Sequence, residues 1–219
     1  MKMNDMRESQ HQTALFQRYP SLRDCENELN AALATMTTAY EGGGKLLICG
    51  NGGSAADSEH VVAELMKGFR KPRSLPQSEV EKLTAFAGAY GTSLGAKLQG
   101  GLPAISLVSH VSLITAVAND LDADLIFAQQ VYVLGQPGDV LLAISTSGNS
   151  RNIVNAVTVA NAFGLRAIGL TGKGGGEISR LAEITIRVPK EIVADIQELH
   201  LPVYHWLSTE LEERFFPAE

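Results

Sequence analysis

Short apolar runs alternate with amphipathic segments along most of this 219-residue chain. The runs are rich in Ile, Val and Leu, and their apolar residues are consecutive instead of alternating with polar ones. Such runs are typical of strands that are buried on both faces of a parallel sheet. Strands that alternate with helices predict an α/β fold, with a three-layer, doubly wound parallel sheet. The predicted strands are KLLICG, PAISLV, DVLLAIS, RAIGLTG and ITIRV.

The segments around these strands place apolar residues three or four positions apart, as one face of a helix does. Before the first strand, this spacing predicts two N-terminal helices within residues 1–40, interrupted near Pro20. We expect residues 1–219 to form a single domain. The other predicted helices span residues 54–68, 112–120, 125–132, 149–163, 176–181 and about 194–213.

One segment, residues 70–101, does not follow the alternation of strands and helices. It begins basic and rich in proline and then becomes rich in Ala and Gly. Two short helical pieces are predicted in it, at 79–86 and 93–98. A structureless loop of this length would be unusual in a compact domain. We therefore expect an insertion that is partly helical or functional, such as a lid near the mouth of a site.

Two of the predicted strands end in small polar residues where a helix is about to begin. The first stretch is CGNGGS, in which glycines permit a close or left-handed backbone and Ser54 can cap the next helix. The second is STSGNS, from Ser145 to Ser150. Taken alone, each is explained as ordinary helix capping; taken together, they favour a phosphate site made of hydroxyls and backbone amides. Neither has the spacing of a dinucleotide-binding or P-loop motif, so no nucleotide cofactor is expected.

Ionisable residues follow the first turn and recur in the last predicted helix. His60 and Glu64 are four residues apart and project about 40° from one another. Gln197 and His205 are eight apart, or about 80° around the axis, with His200 between them. Such residues are often exposed on the protein surface or hydrogen-bonded to neighbours, without a chemical role. Here they could instead perform acid–base chemistry on a sugar, in which a carboxylate takes a carbon-bound proton and an imidazole protonates a carbonyl oxygen, or collect a divalent metal.

Composition excludes several classes of function. A net charge of −6 and a pI near 5.4 argue against nucleic-acid binding, which draws its affinity from Lys and Arg. No stretch approaches the ~20 apolar residues of a membrane span, and the N-terminus has no signal-peptide core, so we expect a cytoplasmic protein that does not bind membranes. Cys25 and Cys49 are assigned neither a disulfide nor a metal role.

In combination, these stretches resemble the sugar isomerase (SIS) domain family, whose fold is flavodoxin-like or Rossmann-like. The resemblance covers about residues 41–211, interrupted by the insertion. It implies an aldose–ketose isomerase that converts sedoheptulose 7-phosphate to D-glycero-D-manno-heptose 7-phosphate. The stretches that carry it are CGNGGSAADSEHVVAEL, VANDLDADLIFAQQV, GDVLLAISTSGNSRNIVNA, GLTGKGGGEISRLAEITIRVP and IQELHLPVYH.

The same resemblance implies roles for individual residues. Glu64 corresponds to the base that moves a proton between C1 and C2, and His205 to the acid at the carbonyl oxygen. Some family members hold zinc, here through His60, Glu64, Gln197 and His205. Family members are homotetramers with sites at subunit interfaces. The residues that correspond to substrate and phosphate contacts are Asn51, Gly52, Gly53, Ser54, Asp120, Ser145, Thr146, Ser147, Ser150 and Gln197.

This chain departs from the family pattern in two places, and other functions remain open. The insertion replaces a short connection, which puts the length or stereochemistry of the sugar in question. The family has an acidic residue three positions before the glutamine, and this chain has Ala194 at that position. The alternatives are a non-catalytic SIS scaffold that binds a replication initiator, a sugar-phosphate sensor, and an isomerase of another phosphosugar. The presence of both Glu64 and His205 favours an enzyme.

Overall fold

The computed structural model describes residues 9–217, so our expectations for residues 1–8 and 218–219 lie outside it. The described residues form one five-stranded sheet with the order β2-β1-β3-β4-β5, and every neighbouring pair is parallel. This confirms the predicted doubly wound parallel sheet. The strands are β1 (Leu46–Gly50), β2 (Ala104–Ser106), β3 (Val140–Ile144), β4 (Arg166–Thr171) and β5 (Ile184–Arg187).

Helices cover both faces of the sheet, which gives the three predicted layers. The helices are α1 (Gln10–Arg18), α2 (Glu26–Glu41), α3 (Gly53–Met66), α4 (Gln77–Gly95), α5 (Val111–Asp120), α6 (Ala128–Leu134), α7 (Arg151–Ala162), α8 (Ile178–Leu181) and α9 (Val193–Phe215). Successive residues of β1 point to opposite faces, as strand geometry requires. Ile48 therefore packs in an apolar cluster with side chains of α2, α3 and α9, and Leu47 packs in a second cluster with side chains of α6 and α7.

Short 3-10 helices join some of these elements. One spans Pro20–Cys25 and separates α1 from α2, which agrees with the predicted interruption near Pro20. The other spans Ala123–Leu125. Among residues 9–217, none of the helices combines the length and the apolar character needed to cross a bilayer.

The insertion contains a helical hairpin, which the sequence pattern predicted only in part. Two helical arms within α4 meet at Gly88, whose φ of 57° favours glycine. This confirms two helical pieces in the insertion, although the second follows Gly88 directly and ends at Gly95 instead of spanning 93–98. A Cβ at Gly91 would lie 1.9 Å from the carbonyl oxygen of Leu83, so only glycine lets the two arms approach this closely. The bend leaves Phe86 with 93% of its surface exposed.

The base of the insertion is anchored by a buried ion pair. Arg73 Nε donates to Glu212 Oε1 at 2.8 Å, and neither side chain is exposed. The remaining guanidinium nitrogens donate to the carbonyl oxygens of Leu65 and Glu64, at 2.6 and 2.9 Å. Glu212 also accepts from the backbone N–H groups of residues 69 and 70. The insertion therefore begins at the end of α3 and is held against α9.

The strand order places a crevice between β1 and β3. The chain leaves β1 for β2 on one side of the sheet and later returns to β3 on the other. At such a switch point the loops after the two strands diverge, and ligands bind beyond the carboxyl ends of the strands. Both stretches that the sequence proposed for phosphate follow these two strands.

Candidate active site

A glycine turn joins β1 to α3. Gly52 has a φ of 55° and is the N-cap residue, and within the described structure no side chain caps the helix. The expectation that Ser54 caps α3 is therefore wrong, because the helix begins one residue earlier and buries Ser54 in its first turn. A Cβ at Gly50 would lie 2.3 Å from the carbonyl oxygen of Ser54. The turn thus requires glycine at this position.

A serine turn joins β3 to α7. Gly148 has a φ of 67°, and a Cβ there would lie 2.0 Å from the carbonyl oxygen of Gly175. Ser145 is buried and its Oγ lies 3.2 Å from that of Ser150, the N-cap residue of α7. Ser147 is exposed and accepts from the N–H of Asn149 at 3.2 Å. Thr146, between them, is half-buried.

The two turns meet across the crevice. The side-chain amides of Asn51 and Asn152 exchange two hydrogen bonds, at 2.9 and 3.0 Å. As with α3, no side chain in the described part of the chain caps the first turn of α7. First-turn N–H groups and helix dipoles favour an anion at such a place. The arrangement therefore suits a phosphate group, bound without a cationic side chain.

Further along α3, side chains from two distant helices come together. Glu64 Oε1 lies 3.0 Å from His60 Nε2, and His205 Nε2 on α9 lies 3.4 Å from the same nitrogen. The Glu64 side chain is 13% exposed, and Lys67 Nζ lies 3.6 Å from its other oxygen. The Phe69 ring covers His205 at a centroid distance of 5.3 Å. The structure thus assembles a carboxylate and two imidazoles, as the sequence led us to expect.

Two members of this cluster were missed by the sequence analysis. Tyr204, on α9, places its hydroxyl 3.0 Å from Asp57 Oδ1 and 3.1 Å from His60 Nδ1. Asp57 is three residues before His60 and seven before Glu64, so the three share a face of α3. That spacing was the available signal for Asp57. Tyr204 carried no comparable signal, because it adjoins His205 without sharing its direction from the helix.

The surroundings of the cluster shift the pKa values of His205, Tyr204 and Asp57. Burial is the main cause that lowers the pKa of His205, and nearby His60 lowers it further, while Glu64 opposes both effects. These effects together favour the neutral form of the His205 ring. Burial raises the pKa of Tyr204, and the neighbouring carboxylate of Asp57 raises it further. Burial also raises the pKa of Asp57, against the opposing hydrogen bond from Tyr204.

The other candidate residues make no hydrogen bond to this cluster within the described part of the chain. The amide of Gln197 packs on the glycine turn, where a Cβ at Gly53 would lie 2.4 Å from its Nε2 atom. Asp120 is exposed at the end of α5 and accepts from Asn119 Nδ2 at 2.7 Å. His200 is fully buried, and burial lowers its pKa to about 4. Gln197 therefore connects α9 to the turn.

Among residues 9–217, no three His, Cys, Asp or Glu side chains are arranged to hold a metal ion. His60 Nε2 is close to both Glu64 and His205, but these contacts are pairwise. The side chains close on His60 itself instead of surrounding a shared central point.

His205 opens onto a groove between α1 and α9. The groove has a volume of about 590 Å³. Its wall includes Phe69 and three basic side chains, His11, Arg18 and Arg70. A polar molecule that reaches His205 from this side would meet positive charge.

Comparisons with known proteins identify the family of this chain. A family model described as the SIS domain matches residues 19–90 and 83–172. The chain belongs to the SIS domain family. Among curated SIS relatives, the phosphoheptose isomerase of Rhodospirillum rubrum is 38% identical over 192 residues, with 88% of each chain covered. That of Shewanella baltica (strain OS155) is 41% identical over 191 residues, with 86% of this chain and 84% of the relative covered.

Solved structures of SIS proteins show the same similarity. The phosphoheptose isomerase GmhA from Neisseria gonorrhoeae has a TM-score of 0.71 and 30% identity, covering 93% of this chain and 95% of that one. A phosphoheptose isomerase from Francisella tularensis has a TM-score of 0.71 and 31% identity, covering 92% and 94%. The SIS assignment therefore rests on sequence and on fold.

Proposed function

We propose that this SIS protein is a phosphoheptose isomerase that converts sedoheptulose 7-phosphate to D-glycero-D-manno-heptose 7-phosphate through an enediol. The observation that carries the proposal is the contact of Glu64 and His205 with His60, on a helix that begins at the glycine turn. The names of the relatives support it. A non-catalytic scaffold would have no need for a half-buried carboxylate beside two imidazoles.

The phosphate group is held between the glycine and serine turns. Uncapped helix starts, two glycine residues with left-handed backbones and the clustered hydroxyls support this assignment. A phosphate there accepts hydrogen bonds from amides and hydroxyls and needs no Lys or Arg. The residues assigned to it are Asn51, Gly52, Gly53, Ser54, Ser145, Thr146, Ser147 and Ser150.

The carbonyl end of the sugar lies toward the acid–base cluster. Because a helix rises about 1.5 Å per residue, the Cα atom of Glu64 is about 15 Å along α3 from that of Ser54. Helical side chains lean toward the N-terminus, so the carboxylate is closer to the turn than its backbone is. This separation favours a long, extended phosphosugar over a short one. Asp120 and Gln197 contact its hydroxyl groups in this proposal.

Isomerisation needs one proton moved between carbons and one moved between oxygens. Glu64 removes a proton from C1 of the ketose while His205 supplies a proton to the oxygen on C2, which forms the enediol. In the second half, the oxygen on C1 gives up its proton to His205, and Glu64 returns its proton to C2. Both side chains end as they began, so the reaction needs no other reactant.

The proposal includes a zinc ion whose ligands are His60, Glu64, Gln197 and His205. Imidazole nitrogens and a carboxylate are donors that zinc prefers, and His60, Glu64 and His205 lie within contact of one another. The residue types therefore fit the metal, although the pairwise contacts must open to admit it. When bound, zinc would polarise the carbonyl oxygen of the sugar.

The assembly and location complete the proposal: a cytoplasmic homotetramer with sites at subunit interfaces. Exposed apolar side chains on α5 and α6, namely Val111, Leu113 and Val133, line a groove of about 660 Å³ and support a subunit contact there. The free thiols Cys25 and Cys49 are compatible with a reducing compartment. Native mass spectrometry measures the subunit number directly.

Turnover of a panel of phosphosugars, followed by mass spectrometry in deuterated water, tests the activity. We expect the heptose 7-phosphates to interconvert fastest and to gain deuterium at the carbon beside the carbonyl. Preferred turnover of a pentose or hexose phosphate would replace the proposed substrate. An absence of turnover and of deuterium incorporation with every sugar, with and without zinc, would reject the enzyme in favour of a scaffold.

A further inference from the structure

A buried tyrosine hydroxyl links a second carboxylate to the acid–base cluster. Tyr204 is 1% exposed, and its hydroxyl contacts only charged or ionisable partners in the hydrogen bonds of the described residues: Asp57 Oδ1 at 3.0 Å and His60 Nδ1 at 3.1 Å. The other ring nitrogen of His60 faces Glu64 and His205. The side chains of Asp57, Tyr204, His60 and Glu64 thus form one line of hydrogen-bond contacts.

The number of hydrogens decides how this line is connected. A phenol has one hydrogen to donate, whereas an ionised carboxylate can only accept. A charged acceptor forms the stronger hydrogen bond, so the Tyr204 hydroxyl donates to Asp57. Its oxygen then has only acceptor capacity left for His60, and the ring nitrogen that faces it, Nδ1, must carry a hydrogen.

We propose that Tyr204 and Asp57 are positioning residues that keep a hydrogen on Nδ1 of His60. Nε2 then becomes the nitrogen that works in the site, since it alone faces Glu64 Oε1 at 3.0 Å and His205 Nε2 at 3.4 Å. It can share a proton with Glu64 or present a lone pair to a cation. A ring held through its other nitrogen by a carboxylate is the usual way in which proteins orient a functional histidine.

The consequence for catalysis rests on the proposed function. With Tyr204 accepting from Nδ1, the 3.0 Å contact between Nε2 and Glu64 Oε1 needs a second hydrogen, which lies on one of these two atoms. Holding Nδ1 in this way fixes the ring orientation, so that Nε2 takes this second hydrogen from Glu64 when the carboxylate acts as a base. Tyr204 and Asp57 act here through His60 and do not touch the reacting carbons.

Nitrogen-15 NMR of the metal-free protein, prepared by dialysis against a chelator, tests the proposal without any substrate. Long-range proton–nitrogen spectra distinguish the two neutral forms of an imidazole ring, and the chain has only five histidines to assign. The His60 signals are identified by their loss in His60→Gln. We expect the wild-type signals of a ring that carries a hydrogen on Nδ1.

The sharpest variant is Asp57→Leu, which leaves Tyr204 in place. Without the carboxylate, the tyrosine hydroxyl is free to donate to His60 Nδ1, so the hydrogen of the neutral ring should move to Nε2. Asp57→Asn keeps an acceptor oxygen and should preserve the wild-type form. Tyr204→Phe should give a mixture of the two forms. A merely structural role for these residues would change none of these patterns.

Tyr40→Phe is the matched control, because Tyr40 is also buried and its hydroxyl donates to a backbone oxygen, that of Pro103, at 3.3 Å. It should leave the His60 signals unchanged. The proposal is overturned if Nδ1 of His60 carries no hydrogen in the wild type, or if Asp57→Leu keeps the wild-type pattern while folded. With heptose phosphate, Tyr204→Phe should lose about 10–100-fold in kcat with little change in KM. Failure of the chain to turn over any sugar would reject the proposed function and leave the NMR result standing.

Discussion

The glycine and serine turns and the acid–base cluster are built in opposite ways. Each turn is a contiguous stretch, and the two meet because the strands before them, β1 and β3, are neighbours. The cluster joins α3 to α9, and its partners His60 and His205 are 145 residues apart in sequence. The turns depend on backbone geometry, whereas the cluster depends on the packing of two helices. Damage to each should therefore have a different kinetic signature.

The largest effect is expected at the cluster. Glu64→Gln keeps the size of the side chain but removes the base, so kcat should fall by about 10²–10⁴-fold with a modest change in KM. Deuterium incorporation beside the carbonyl, measured by mass spectrometry, should be lost in parallel. Glu59→Gln on the same helix is the control, since Glu59 is exposed and accepts from Ser109 outside the cluster. Wild-type exchange in Glu64→Gln would remove Glu64 from the role of base.

A stability measurement probes the helix that carries His205. His200 on α9 is buried, and burial lowers its pKa to about 4, below the usual 6.5, against the opposing effect of the Thr171 backbone. The folded protein therefore holds it neutral, while the unfolded chain takes up a proton as the pH falls below 6.5. We expect about 2 kcal/mol of stability to be lost between about pH 7.5 and about pH 5.

Urea unfolding at the two pH values measures this loss. His200→Leu fills a similar space without a titratable group, so its stability should depend on pH by about 2 kcal/mol less than that of the wild type. An equal pH dependence in both proteins would show that His200 is not the group responsible.

A smaller effect is expected at the serine turn. Ser147→Ala removes one hydroxyl from the phosphate site, and a lost hydrogen bond to a charged group contributes about 1.5–3 kcal/mol. KM should rise by about 10–100-fold while kcat changes little. Ser112→Ala, which removes an exposed hydroxyl at the start of α5, is the control. If kcat fell and KM did not change, the division between the two regions would be wrong.

The contact of Gly53 with Gln197 joins the glycine turn to α9, the helix that carries His205. Gly53→Ala would place a Cβ 2.4 Å from Gln197 Nε2, and the amide must move away. A displacement of this size at a substrate-contacting group should lower kcat/KM by about tenfold. Gly174→Ala is the control, because a Cβ there would meet open space. Unchanged kinetics in Gly53→Ala would show that the turn does not need Gln197.

The smallest effect is expected from the insertion. Replacing residues 77–95 by a short linker leaves Arg73 and its bonds to Glu212 and α3 in place, so the fold should be retained. We expect the preference among phosphosugars of different length to change several-fold, roughly 1 kcal/mol. The measurement is kcat/KM for each sugar. An unchanged preference together with an altered subunit number would make the hairpin a subunit contact instead.

The sequence by itself determined the features that are written in consecutive residues. The strands β1 and β3 are uninterrupted apolar runs, which are typical of burial on both faces, and every residue of both is buried. The edge strand β5, ITIR, has a weaker pattern and is only partly buried. The turns follow from Gly52 and Gly148, since left-handed backbone of this kind favours glycine wherever the rest of the chain lies. His60 and Glu64 were found together because helical spacing alone puts them on one face.

Only the tertiary structure decided the rest. Helical spacing could not show that Tyr204 reaches Asp57, that Gln197 packs on Gly53, or that α4 folds back at Gly88. The sequence also led us to place the N-cap of α3 at Ser54 instead of Gly52, because serine and glycine are both favoured at that position. Contacts between distant residues are chosen by how whole helices and their side chains fill the core, and a local pattern carries no record of that choice.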